Sequence, residues 1–107
     1  HTFDCGLSKE GPVVRRKYAT REKPAGLIKT ANASIKQVQN GVIYELAIPW
    51  DELTPLRPAI GNWMGFSLVF YEDDGFGRET RCNWFGGAGG NGLAREPRLM
   101  GDVHFVR

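Results

Sequence analysis

The run Tyr44-Glu45-Leu46-Ala47-Ile48-Pro49-Trp50-Asp51-Glu52-Leu53 restricts the fold more than any other part of the chain. Side chains alternate along it, Tyr44, Leu46 and Ile48 to one face and Ile43, Glu45 and Ala47 to the other, so the strand has a core side and a less apolar side. Pro49 has no N–H to give and ends the ladder. Trp50 to Leu53 leaves room for one helical turn, and Thr54-Pro55 and Arg57-Pro58 stop it from extending.

Strand and turn signals continue on both sides. His1, Phe3, Cys5 and Leu7 alternate onto one face of a first strand, Gly11-Pro12 breaks it, and Val13 to Tyr18 forms a second. Ala19 to Thr30 is a polar connection carrying Pro24 and Gly26. Asn40-Gly41 is the strongest hairpin signal, because both residues tolerate the positive φ of a type I′ turn, and it predicts antiparallel pairing of Ile35–Val38 with Val42–Ile48. Phe66, Leu68 and Phe70 continue a core face in a later strand, with Ser67, Val69 and Tyr71 opposite. Helical periodicity is nearly absent. The expectation is an all-β chain, an antiparallel β-sandwich of jelly-roll or immunoglobulin-like type, with residues 1–107 forming one domain.

Three stretches together resemble the C-terminal half of the family 9 carbohydrate-binding module and its DOMON-like relatives. They are the E-x-A-I-P-W-x-x-L strand at Glu45–Leu53, the G-x-x-x-G-F strand entry at Gly61–Phe66 leading to Asp73-Asp74, and the closing P-x-L-x-G at Pro97–Gly101, with Trp84 between. The resemblance spans Val42 to Val106. It implies a sandwich that binds a poly- or oligosaccharide without catalysis, in a secreted or periplasmic setting, often joined to a glycoside hydrolase or lyase. It also implies that strands expected ahead of His1 are lacking, so the chain reads as a fragment or the C-terminal part of a larger module. Another chain could then supply the missing strands, since open sheet edges invite pairing.

Within that frame the polar constellation from Tyr71 to Trp84 is the candidate ligand site. Asp73, Asp74, Arg78, Glu79 and Arg81 supply charged donors and acceptors for hydroxyls, and Trp84 supplies a face on which a pyranose can stack. Solvated turn acids and surface ion pairs are the plain alternative. Trp50 and Trp63 are assigned to packing. Sugar-binding members carry a second tryptophan shortly before the Pro of the closing motif; here Gly92-Leu93-Ala94-Arg95-Glu96 precedes Pro97, with no aromatic. Arg95 would replace the ring by laying its guanidinium plane along a sugar or pairing with a uronate. Asp73 and Asp74 are also the acids on which a structural calcium ion would sit, by analogy with modules of this kind, though no EF-hand spacing is present.

Other chemistries fit less well. Lys9, Arg15, Arg16, Lys17, Arg21, Lys23, Lys29 and Lys36 make the first forty residues basic within a net charge of +2. They alternate with apolar residues as a solvated sheet face would, and no aromatics interleave with them, so nucleic acid is not expected. No apolar run approaches the roughly 20 residues of a spanning helix, and no membrane is expected as partner. Cys5 and Cys82 lack metal-ligand spacing and read as small buried hydrophobes, bridged or not. The glycine-rich Phe85–Gly92 segment lacks the Gly-Lys-Ser/Thr ending of a phosphate loop. Haem is found in wider kin through Met and His ligands. Met100 and His104, however, lie four apart on a strand, about 14 Å, too far for opposite axial positions. Glu72, Asp73 and Glu79 are candidate hydrolytic carboxylates by residue type only. A structural or protein-interaction sandwich is the alternative to sugar binding.

Overall fold

The computed structural model describes residues 1–73, 79–87 and 95–106; the side chains of 72, 73 and 79–81 are outside the description. Among the described residues the chain is all-β and every strand pair is antiparallel, which is consistent with a β-sandwich. It divides into two compact units, His1–Arg57 and Pro58–Arg107.

In the first unit, β1 (Phe3–Ser8) and β2 (Gly11–Arg16) form a hairpin around Lys9-Glu10, and β2 also pairs with the short β3 (Gly26–Leu27). Ser8 Oγ accepts from the Glu10 N–H at 3.1 Å and donates to the Gly11 carbonyl at 2.8 Å, which tightens the turn. Gly11 has φ 113°, a conformation that costs a residue with a Cβ and comes freely to glycine. Gly11-Pro12 therefore opens β2 instead of breaking β1, and β3 lies inside the segment expected to be connection only. β4 (Asn32–Val38) and β5 (Gly41–Ala47) form the second hairpin, with β2 packed beside β4. Its turn is Gln39-Asn40, closed by the Val38–Gly41 pair, one residue earlier than expected. None of residues 39–41 has positive φ, so the type I′ turn is not formed. The pairing is as anticipated because it depends on the apolar pattern of both strands and not on the turn type.

Burial in this unit concentrates on one face of β2 and on Ile28, just after β3. Val14 is 2% exposed, Ile28 5% and Arg16 4%. The expectation that the basic residues of the first forty lie on a solvated sheet face is thus wrong for Arg16: it follows Val14 by two residues and so points inward with it. Burial of a guanidinium requires partners. One terminal nitrogen donates to the Glu52 carboxylate at 2.8 Å and the Glu52 carbonyl at 2.6 Å; the other donates to the Pro24 carbonyl at 3.1 Å. Glu52 belongs to the single 3-10 turn Trp50–Leu53 that follows Pro49, as the prolines dictate. Arg16 thereby ties the turn to β2.

The Arg16 hydrogen bond, aided by the charges of Lys23 and Arg16 and by the Thr30 hydroxyl, holds the Glu52 carboxyl below its ordinary value of 4.5 against a smaller opposing effect of desolvation. A carboxyl depressed in the folded chain and ordinary in the unfolded one adds stability above about pH 4.5, lost as pH falls through the folded value. Urea midpoints are therefore expected to decline between about pH 5 and pH 3. Glu52→Gln should flatten that part of the decline; an unchanged profile would show that other carboxyls govern it.

β5 departs from expectation more strongly. All its residues are exposed, including Val42, Tyr44 and Leu46 of the intended core face, and Trp50 after it is exposed rather than packed. Cys5 is half-buried, which pushes its thiol pKa up, whereas Cys82 is exposed and the two are unbridged.

In the second unit, the run expected to be one strand is divided at Ser67. β6 (Trp63–Phe66) pairs with β9 (Gly101–His104), and β7 (Leu68–Asp73) pairs with β8 (Glu79–Trp84). Phe66, Leu68 and Phe70, expected in the core, each remain partly exposed. The closing motif is a 3-10 turn, Pro97–Leu99, before the short β9. Among the described residues, no helix is long and apolar enough to cross a membrane.

Candidate functional site

Trp84 ends β8 and is 49% exposed. Its ring lies 5.6 Å from Phe66 at 57° and 4.8 Å from Phe85 at 70°, the tilted and edge-on arrangements that aromatic quadrupoles favour. Ser67, at the break between β6 and β7, donates from its hydroxyl toward the carbonyls of Trp84 and Phe85, 3.3 Å from each. Phe85 has φ 61° and its ring lies against the backbone of Gly101, where a Cβ would meet the ring carbons. The left-handed conformation of a non-glycine residue costs about 1–2 kcal/mol, offset here by the ring's seat on the buried Gly101.

From Phe85 the chain enters the glycine segment. Gly87 has φ 81° and accepts from the Glu96 N–H at 3.1 Å, which brings the backbone beside Arg95 back toward the aromatic pair. Leu99 packs on Gly86, where a Cβ would stand 3.3 Å from the Leu99 Cβ. Trp84, Phe85 and Leu99 are thus exposed apolar side chains on this stretch, and the closing segment that the Glu96–Gly87 bond returns to it carries exposed Arg95 and the Glu96–Arg98 ion pair at 3.4 Å. Such a surface offers a flat apolar contact next to charged donors and acceptors, the pairing that a sugar's two-sided chemistry requires.

This grouping differs from the one expected between Tyr71 and Trp84. In the β7–β8 ladder Asp73 stands opposite Glu79 at one end and Leu68 opposite Trp84 at the other. Five strand positions separate Glu79 from Trp84, about 17 Å, so the acids and the tryptophan do not share one end of the hairpin. Arg81 is opposite Tyr71, between them. Asp74 and Arg78 lie outside the described residues, as do the side chains of Asp73, Glu79 and Arg81, and with them the calcium position expected on Asp73 and Asp74. Among the described residues, no group of three His, Cys, Asp or Glu is placed to hold a metal. Of the expected residues, Trp84 and Arg95 flank the Gly87–Glu96 backbone hydrogen bond, three positions before Gly87 and one before Glu96.

Phe85 and Leu99 were not anticipated as site residues. The tandem Trp84-Phe85 directly ahead of a double glycine was the available signal, since glycine removes the side chains that would cover the rings. Trp63 was assigned to packing and is instead 62% exposed. Its cross-strand partner is His104, and Asp102, opposite Gly65, follows on the same face; both argue against an apolar cover.

In the first unit a shallow depression is lined by Arg16, Lys23, Leu27, Ile28, Thr30 and Glu52, among others. Within it the Arg16 guanidinium is paired with the Glu52 carboxylate at 2.8 Å.

The family described as carbohydrate family 9 binding domain-like matches residues 13–107, and the chain belongs to it. The match reaches back to Val13, well beyond the Val42 at which the sequence resemblance begins. The family is one of non-catalytic carbohydrate-binding modules, so carbohydrate binding without catalysis is its general function. No curated protein and no solved structure gives a significant match.

Proposed function

We propose that this chain is a non-catalytic module that binds a poly- or oligosaccharide across Trp84, Phe85 and Arg95, within a larger secreted or periplasmic carbohydrate-active protein such as a glycoside hydrolase or lyase. The observation that carries the reading is Trp84: a tryptophan 49% exposed, wedged by Phe66 and Phe85, in a member of a carbohydrate-binding family. Preset rings lose little rotamer freedom on binding, so the stacking energy is retained as affinity. Arg95 supplies a planar cation at the patch border, which favours glycans containing a uronate.

Titration against neutral and uronate-containing oligosaccharides tests this. Saturable binding is expected, weakened at least about tenfold in Trp84→Ala with the fold retained by circular dichroism. A second reading, protein interaction, draws on the exposed Val42, Tyr44 and Leu46 of β5. A folded sample that responds to no sugar would displace the first reading in favour of the second.

A further inference from the structure

We propose that Trp63, backed by His104, forms a second stacking platform, which takes one neutral pyranose ring of a β-linked glycan. The proposal uses the carbohydrate binding of the family and not the assignment of Trp84.

The pairing of β6 with β9 sets Trp63 opposite His104 and Gly65 opposite Asp102. Alternation puts these residues on one face of the two-stranded sheet and Met64, Phe66, Gly101 and Val103 on the other. The second face is the more covered one: Gly101 is buried under the Phe85 ring and Met64 and Val103 are half-buried, with Phe66 at its edge 38% exposed. On the first face Trp63, Asp102 and His104 are all exposed. Met100 occupies the space over Gly65, where a Cβ would stand 3.4 Å from the Met100 Cβ.

The composition of the first face decides what can lie on it. An apolar sheet or helix laid there would strip water from the Asp102 carboxylate and the His104 imidazole without replacing their hydrogen bonds, a cost that buried polar groups do not bear unpaired. The occupant must present an apolar surface to the indole and hydroxyls to the polar pair. A pyranose does both.

The stack itself prepares the surface. The Trp63 and His104 rings are parallel to 4° with centroids 4.0 Å apart. One indole face is covered by the imidazole and the other is left to solvent, with its orientation held by the cross-strand contact. A ring already fixed surrenders little entropy when a ligand stacks on it. Asp102 lies one pair further along this face, about 7 Å by strand rise, a distance matched to one hexose and its hydroxyls. Asp102 is the charged residue among those described on this face, so an acidic sugar is repelled and a neutral one accepted. Gluco- and xylo-configured β-linked units, whose ring substituents are equatorial, present a flat C–H face for stacking. His104 is a positioning residue: it acts through the orientation of Trp63.

The test is NMR titration of the whole chain with cellohexaose, reading the indole N–H resonances of Trp50, Trp63 and Trp84, each assigned through its Trp→Phe variant. The Trp63 resonance is expected to shift and saturate, and to do so equally in Trp84→Ala. His104→Ala should weaken the Trp63 midpoint about tenfold while leaving the Trp84 midpoint in place, and His104→Phe should restore it. A Trp63 resonance unmoved by cellohexaose, or moved more by trigalacturonate, overturns the proposal. Movement at Trp84 alone would defeat this platform and keep the first site; movement at Trp63 alone would do the reverse.

Discussion

Gly87→Ala is expected to destabilise the second unit by about 2–4 kcal/mol, measured as a fall in the urea unfolding free energy. Two causes add. At φ 81° a Cβ costs about 1–2 kcal/mol. That same Cβ would collide with the Glu96 carbonyl oxygen and stand 3.1 Å from the Met100 Cγ. The carbonyl belongs to backbone that Gly87 itself holds through the Glu96 N–H, so it cannot retreat without giving up that bond. Gly86→Ala is the comparison. Its Cβ would meet only the Leu99 side chain, 3.3 Å away, which can yield. Because Arg95 is placed by the Gly87–Glu96 contact, Gly87→Ala should also weaken any glycan that needs both Trp84 and Arg95. Equal stability of the two variants would show that the Gly87 conformation is not what holds the closing segment.

Arg16→Met is the second large effect, a loss of about 2–3 kcal/mol in the first unit. Methionine fills much of the volume but leaves the Pro24 and Glu52 carbonyls without their donors and removes the tie between β2 and the 3-10 turn. The Glu52 carboxylate keeps only the Thr30 hydroxyl at 3.3 Å and Lys23 at 3.9 Å. Adding Glu52→Leu to Arg16→Met should recover part of the loss, since an unpaired charge beside apolar residues is worse than none. The Arg16 Nε already lacks a partner, and removing that buried N–H sets off some of the cost. A double variant no better than the single would place the energy in the carbonyl bonds alone.

The β4–β5 hairpin, the stop at Pro49 and the single turn through Leu53 could all be read from residues within a few positions of one another. Proline's missing N–H and period-two alternation are local properties, and local properties survive whatever the rest of the chain does. The hairpin turn came out one residue early because Gln39-Asn40 and Asn40-Gly41 both allow a tight reversal, and the better register of the flanking strands chose between them. The division at Ser67 could not be read at all: β6 takes as partner a strand that begins 35 positions after its last residue, Phe66 with Gly101, and nothing near Ser67 announces it.

The candidate sites show the same division. Trp84 was recognisable because a tryptophan ahead of glycines has little to cover it. Asp73 and Glu79, grouped with it in sequence, stand at the far end of the β7–β8 ladder, since a strand of six residues is long compared with a sugar ring. Trp63 and Arg16 exchanged their expected places, the tryptophan outward and the cation inward. Alternation states which residues share a face; it does not state which face is covered.

The sequence alone therefore determined the antiparallel all-β class, the stop at Pro49 and the family to which the chain belongs, because periodicity, proline and motif order act over short spans. Only the tertiary structure decided that Arg16 is buried against Glu52, that Phe85 sits on Gly101, and that Trp63 stacks with His104 in the open. Those outcomes depend on strand partners distant in sequence, whose choice balances apolar cover against the cost of desolvating charge.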